Sequence, residues 1–179
     1  VQSYLLLITM PMGGLTGGCQ PVISFNYGAG RVDRIRKALK CIVALCLCFA
    51  VAMTLATQLA CQHFVRLFTG DADIMARSVR YIKIFTCMII PLAVQYPLVD
   101  ETTALGHVRL ALFCSLFRKS VFLAALVLLP ALISAEAAFL AEPIADAAAA
   151  AVTTCICLRA FPKIFARRTR EAEQGLQSV

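Results

Sequence analysis

The sequence has 179 residues, of which 60% are hydrophobic and 15% are charged, and its mean hydropathy is +0.81. Soluble domains usually contain about a quarter charged residues and less than half apolar ones. This chain therefore has too little polar surface to face water, and its composition indicates a membrane protein. The formal charge of +7 does not indicate nucleic acid as a partner, because the basic residues cluster at the ends of apolar runs, as membrane topology requires. No Walker loop, Rossmann glycine pattern or nucleophile elbow occurs, so the sequence does not indicate an enzyme.

Five apolar runs are long enough to cross a bilayer, which takes about 20 helical residues. They lie at residues 4–28, 41–62, 79–99, 108–132 and 137–159. The basic stretch after the first run is assigned to the cytoplasm by the positive-inside rule, which places the N-terminus outside and the C-terminus in the cytoplasm. The exterior loop at 63–78 carries arginines and goes against that rule.

We expect an all-α membrane protein with one transmembrane lobe at residues 1–165 and a polar cytoplasmic tail at 166–179. An odd number of spans that starts outside predicts a further span before Val1.

The first apolar run contains two glycine pairs within residues 13–18, and the members of each pair are four residues apart. Such spacing places a bare backbone strip on one helix face, where a neighbouring helix could approach closely. Pro21 leaves the carbonyl of Gly17 without its helical donor and favours a kink, and Gln20 adds an amide beside it. Two interpretations stay open: a bent helix that lines a pathway, or a packing helix with an incidental proline.

The third run carries Gln95 between two prolines, Pro91 and Pro97. Two prolines in one membrane span predict a bent helix beside a cavity, because the freed carbonyls need water or polar side chains.

Charged residues occur near the middle of the fourth and fifth runs. Arg118 and Lys119 lie about ten residues into the fourth run, and Asp146 lies at a comparable depth in the antiparallel fifth run. A charge at that depth costs roughly 2.5–3.5 kcal/mol on insertion scales. We hypothesise that Arg118 pairs with Asp146. The alternative is that Asp146 carries a proton or a sodium ion.

Other polar groups have structural interpretations. The nine cysteines include no CxxC motif and lie mostly in apolar runs, so we expect neither disulfides nor a metal site. Asp71 and Asp73 are expected to cap a helix rather than to bind calcium.

Several motifs resemble the multidrug and toxic compound extrusion (MATE) family. The run from Gly14 through Gln20-Pro21 and Asn26-Tyr27-Gly28 to Arg31 is similar to the family's eighth transmembrane helix. Further resemblances cover the joins to its tenth, eleventh and twelfth helices: Phe68-Thr69-x-Asp71 with Pro91, Ala104-Leu105-Gly106 with Arg118, and Glu142-Pro143-Ile144-Ala145-Asp146. The chain departs from the family at Asp100-Glu101 and at Lys119.

The resemblance implies helices 8 to 12 of a twelve-helix secondary antiporter, in which two six-helix bundles rock around a central cleft. This chain would be part of the C-terminal bundle. The family exports cationic and amphipathic organic compounds in exchange for Na⁺ or H⁺, and it has no other cofactor.

The implied partners are the lipid bilayer, the missing N-terminal lobe and small organic cations, in the bacterial inner (plasma) membrane. The candidates for the cleft or its hinges are Gln20, Pro21, Asn26, Pro91 and Gln95. Some relatives carry a cation-binding acid in the tenth helix, but none occurs mid-helix here, so we transfer no cation site.

Two alternatives remain. A related flippase would move lipid-linked sugars, and a membrane scaffold subunit would transport nothing.

Overall fold

The computed structural model describes residues 2–67, 70–132 and 135–177. These residues form α1 (Gln2–Gly28), α2 (Val32–Arg66), α3 (Ala72–Cys87), α4 (Ile89–Ala104), α5 (Val108–Leu132), a 3₁₀ helix (Ala135–Leu140) and α6 (Ala141–Gln177). No strand occurs within these ranges, so the all-α prediction is confirmed. Phe68 and Thr69, which carry part of one sequence resemblance, lie outside the described residues.

The helices differ in detail from the five predicted spans. Three helices are long and apolar enough to cross a membrane, namely α2, α5 and the segment from Ala137 to Gln174, and a fourth span results if α3 and α4 are counted together. Helix α1 forms over the predicted run but is not among them, because its glycines, its two prolines and Gln20 lower its hydropathy. Helix length and composition therefore do not by themselves support the membrane span predicted for the first apolar run.

The sequence predicts a loop for the basic residues after the first run, but helix α2 begins at Val32, so these residues occupy its first turns. Amphipathic packing explains this difference, since the buried residues of α2 recur every three or four positions from Val32 onward. Helix α6 continues past the fifth predicted span to Gln177, through most of the residues predicted as a polar tail.

The third predicted span is bent by 44° between α3 and α4. Pro91 has no N–H to donate to the carbonyl of Cys87, and its ring would clash with that carbonyl in a continuous helix. The helix instead closes with a tight bond from Met88 N to Phe85 O at 3.1 Å. Beside the break, the Thr54 hydroxyl of α2 donates to the carbonyl of Thr86 at 3.1 Å. The bend that the two prolines predicted therefore lies at Pro91.

Helix α4 is the centre of the bundle and packs against α1, α2, α5 and α6. One of its faces is buried at every fourth residue: Ile89, Ala93, Pro97, Glu101 and, just past its end, Leu105. A spacing of four keeps these side chains on one side of the helix.

Two apolar clusters hold the helices around α4. The first cluster lies near the bend and contains Ile8, Met12, Ile42, Cys46, Ala50, Ile89, Leu92 and Ala93. The second cluster lies near the turns after α1 and α4 and contains Ile23, Val32, Ile35, Leu39, Leu105, Ile164 and Phe165. Because Glu101 is one turn before Leu105 and two turns after Ala93, it lies in the layer between them.

Much of the outer surface is apolar. Helix α5 exposes large hydrophobic side chains along its length: Leu112, Phe113, Leu116, Leu123, Val127, Leu128 and Leu132. Soluble monomers rarely expose so large an apolar surface to water, whereas a lipid bilayer solvates it. The backbone N–H and C=O groups of the long helices form hydrogen bonds within each helix, as a bilayer requires. The chain is a multi-pass membrane protein.

The glycine pairs of α1 have no close neighbour among the described residues. A β-carbon added at Gly13, Gly14, Gly17 or Gly18 would meet no atom of the described chain within 4 Å. The glycine strip lies on the outside of these helices, and no helix within residues 2–67, 70–132 and 135–177 packs closely against it.

Two glycine turns close α1 and α4 at the same end of the bundle. Gly30 and Gly106 have φ angles of +70° and +79°, and in each turn the next residue donates back to a carbonyl five residues earlier, as in Arg31 N to Asn26 O at 2.9 Å. This arrangement is the Schellman motif, which favours glycine because the left-handed conformation crowds a β-carbon.

The end of α6 is fastened to the first of these turns. Arg168 donates from Nε to the carbonyl of Tyr27 at 2.8 Å and from Nη2 to that of Gly28. Its guanidinium also lies 5.5 Å from the centroid of the Tyr27 ring. These carbonyls belong to the last turn of α1, and the last carbonyls of a helix lack N–H donors within their own helix.

Gly30→Ala and Gly106→Ala should differ in their effect on stability. Both place alanine in the left-handed region, at a cost of about 1–2 kcal/mol. Only at Gly30 would the new β-carbon also lie 2.9 Å from the Cβ of Ala172, whereas nothing lies within 4 Å at Gly106. Thermal unfolding in detergent should show a larger loss for Gly30→Ala. An equal or larger loss for Gly106→Ala would show that α6 does not pack on this turn.

Candidate functional site

An open pocket of about 260 Å³ lies between α4 and α5. Helix α4 contributes Gln95, Tyr96, Val99 and Asp100, and helix α5 contributes Ser115, Arg118 and Lys119. Both sets recur at three or four residues, so each occupies one face of its helix. The pocket combines an aromatic ring and neutral hydrogen-bonding groups with charges of both signs.

Gln95 is the pocket residue that the proline-flanked motif predicted. Its side chain is only 3% exposed, and its amide oxygen has no hydrogen-bond partner within the described residues. A buried acceptor without a donor costs about 1–3 kcal/mol, so a bound molecule that donates a hydrogen bond would gain from this group.

The other predicted cleft and hinge residues lie elsewhere. Gln20 is half-buried and Pro21 is exposed on α1, which stays one helix through Pro21. Asn26 donates from Nδ2 to the carbonyl of Val22 at 2.8 Å, while its buried Oδ1 has no partner in the part of the chain that the structure describes. None of these three lines the pocket between α4 and α5, and Pro91 lies at the bend.

Arg118 and Asp146 are brought together by α5 and α6. Arg118 Nε lies 2.7 Å from Asp146 Oδ1, and the two side chains are 19% and 10% exposed. Charge-assisted hydrogen bonds of this length are among the stronger polar contacts. A small cavity of about 40 Å³ beside the pair is lined by further charged groups, Lys119 and Glu142. Arg118 therefore lines the pocket and also holds α5 against α6.

Asp100 and Glu101 were noted in the sequence only as departures from the family pattern. In the structure the Thr16 hydroxyl of α1 donates to the Asp100 carboxylate, which joins α1 to α4 beside the pocket. Glu101 points into the bundle and is fully buried. The spacing of four that places Glu101 in line with Ala93, Pro97 and Leu105 was the signal that could have predicted its burial.

No group of three or more His, Cys, Asp or Glu side chains within residues 2–67, 70–132 and 135–177 has an arrangement that could hold a metal ion.

The model of the MatE family matches residues 1–130. The chain belongs to the MatE family. It is 27% identical over 104 residues to a protein named "Probable multidrug resistance protein NorM" from Geobacillus kaustophilus (strain HTA426), a match that covers 58% of this chain and 23% of that protein.

The fold is also that of a solved family member. The chain is similar to the MATE multidrug transporter DinF-BH, solved with a bound drug, with a TM-score of 0.84 and 25% sequence identity. The match covers 92% of this chain and 37% of the solved one, so the chain spans well under half the length of the proteins it matches. Family and fold are those of membrane transporters, not of enzymes.

The pairing of Arg118 with Asp146 can be tested by replacing each with Leu, singly and together. Removing one partner of a buried pair costs about 3–5 kcal/mol, and the partial exposure here favours the lower end. Asp146→Leu should cost more, since an unpaired arginine cannot lose its charge whereas an unpaired aspartate can take up a proton.

The double variant should be milder than the sum of the single variants by about 1–3 kcal/mol, measured by denaturation in detergent. Additive losses would show that the two charges do not interact.

Proposed function

We propose that the chain is the C-terminal part of a secondary active multidrug efflux antiporter, which exports cationic and amphipathic compounds in exchange for Na⁺ or H⁺. The observation that carries the proposal is the close fit of 92% of the chain to a drug-bound MATE transporter, together with the open pocket between α4 and α5. The N-terminal lobe would supply the other wall of the cleft.

The pocket suits an organic cation on its α4 side. The ring of Tyr96 can stack on a delocalised cation, and a carboxylate, Asp100, lies one turn away. On the α5 side Arg118 is paired with Asp146, and the Lys119 side chain is exposed. We therefore expect a bound cation to lie against α4, with its apolar part towards α5.

The distribution of charge supports a cytoplasmic C-terminus in the cell membrane. The turns after α1 and α4 and the last part of α6 meet at one end of the bundle. Many of the basic residues lie at this end: Arg31, Arg34, Arg36, Lys37, Arg109, Lys163, Arg167 and Arg168. The positive-inside rule places such an end in the cytoplasm.

The exposed glycine strip of α1 supports a second lobe. Gly14, Gly17 and Gly18 are open to contact from outside this chain, and small residues in membranes allow close helix approach. We expect the strip and the candidates Gln20, Pro21 and Asn26 to face parts of the transporter beyond these helices.

The test is transport by the natural protein that contains this sequence, expressed from its whole reading frame and reconstituted in vesicles. A fluorescent lipophilic cation is loaded, and a sodium gradient or a pH gradient is imposed separately. Efflux that depends on one gradient supports the proposal. Gradient-independent movement of a lipid-linked sugar, or no movement of either compound, would contradict it and favour a flippase or a scaffold subunit.

Gln95→Leu should weaken drug export without destabilising the protein. The change removes a buried amide oxygen that lacks a partner, so the thermal stability should be equal or higher. Loss of one hydrogen bond to the substrate, about 1 kcal/mol, should raise the KM for the exported cation about fivefold.

Gln58→Leu is the matched control, because Gln58 lies on α2 beside Cys87, away from the pocket. A normal KM for Gln95→Leu, or an equal rise in both variants, would remove Gln95 from the binding site.

A further inference from the structure

Glu101 is a carboxyl group enclosed within the helix bundle. Its side chain is 0% exposed, and neither carboxyl oxygen has a hydrogen-bond partner among the described residues. Buried polar side chains are bonded in the large majority of cases, so each exception needs an explanation. Neither the pocket nor the Arg118–Asp146 pair uses this group.

Within the part of the chain that the structure describes, the titratable groups near Glu101 are acidic or neutral. The titratable side chains near it within the described residues include Cys19 of α1, Cys46 of α2 and its neighbour Asp100. On α6, Cys157 lies 3.8 Å from the hydroxyl of Thr102, the next residue of α4. None of these groups supplies a positive charge.

The nearest candidates for a counter-charge are engaged elsewhere or too distant. On α5, Arg118 is paired with Asp146. Lys119 lines the pocket beside Asp100, but among residues 2–67, 70–132 and 135–177 no lysine or arginine nitrogen forms an ion pair with Asp100 or Glu101.

Along the bundle, one apolar cluster lies on each side of Glu101. Leu105, one turn later on α4, belongs to the second cluster, and Cys46 belongs to the first. An isolated ionised carboxylate in such surroundings is far more costly than a neutral one, so the group takes up a proton instead. A metal ion would need several oxygen ligands, and the described side chains offer no such group.

We propose that Glu101 is a proton-binding site of the transporter. In the conformation seen here its carboxylate holds one proton as a neutral acid. When the lobe rearranges and water reaches the group, the acid loses that proton to water and becomes a carboxylate. The role in drug exchange rests on the proposed function, whereas the protonation does not.

The neighbouring residue provides a route for water. Asp100 lines the open pocket between α4 and α5, one residue along the same helix, and the Thr16 hydroxyl of α1 holds its carboxylate. A shift of α1 relative to α4 would break that bond and open the path from the pocket to Glu101. Substrate in the pocket and the proton on Glu101 are thereby coupled through helix α4, which carries Asp100 in the pocket and Glu101 one residue later.

The first test is infrared spectroscopy of the full-length protein in detergent, which detects the carbonyl stretch of a protonated carboxyl group without any transport. At neutral pH the wild type should show this band, insensitive to deuterium exchange in the closed state. Glu101→Gln should lack it, and Asp100→Asn, the adjacent control, should keep it. A wild-type spectrum that Glu101→Gln leaves unchanged would overturn the proposal.

A second variant covers a failure of Glu101→Gln to fold. Glu101→Met removes the unpaired polar group altogether, so it should be at least as stable as wild type in thermal unfolding, and it should also lack the band. Lower stability of Glu101→Met would show that the carboxyl group has partners in the whole protein, which would overturn its assignment as an isolated proton site.

The third measurement is proton release. Adding a lipophilic cation to the full-length protein in weak buffer should release a proton from wild type, and Glu101→Gln should release one fewer. If the cation binds and both release equally, Glu101 is not the coupled group. If the infrared band depends on Glu101 but no cation is bound or exported, the proton site stands and the proposed function fails.

Discussion

The structure depends on one constraint: helix α4 carries buried polar side chains, Gln95 and Glu101, through the middle of an apolar helix bundle. Its buried face runs through Ile89, Ala93, Pro97, Glu101 and Leu105. Four apolar positions pack against α1, α2 and α6 in the manner of any core helix, and Glu101 interrupts them. The hydrogen bond from Thr16 to Asp100 and the pocket residues Gln95 and Tyr96 lie on the same helix.

The bend at Pro91 makes this arrangement possible. It turns the helix by 44°, so that α3 packs on α2 while α4 passes through the centre of the bundle. Beyond the bend, one side of α4 faces α5 across the pocket and another side holds Glu101 between the clusters. Thr16 of α1 and Arg118 of α5 then reach the two sides of the same pocket.

Much of this fold followed from residue patterns. The run at 108–132 coincides with α5, and Asp71 accepts from the N–H groups of Asp73 and Ile74, as the predicted helix cap requires. Family resemblance placed the chain in a MATE lobe, and the family match agrees.

The rest depended on information that is not local. Glycines four apart allow close helix packing but do not require it, and the strip in α1 has no described neighbour. Hydropathy set the start of the second span too late, because basic side chains on the outer face of α2 are compatible with a buried stripe of Val32, Ile35 and Leu39. The spacing of four along α4 could indicate that Glu101 is buried, but that its carboxyl oxygens have no partner among the described residues depends on how the helices pack around it.

The proposed transport role requires that the pocket between α4 and α5 is wet and open to substrate while the opposite side of α5 faces lipid. Ser115 lines the pocket, and Phe113, two residues earlier, is 54% exposed on the other side. The decisive measurement is labelling of Ser115→Cys and Phe113→Cys with a membrane-impermeant thiol reagent, in the full-length protein lacking its natural cysteines. We predict rapid labelling at 115 that a lipophilic cation blocks, and little labelling at 113. Equal labelling at both positions, or no protection by the cation at 115, would show that this pocket is not the water-filled binding site.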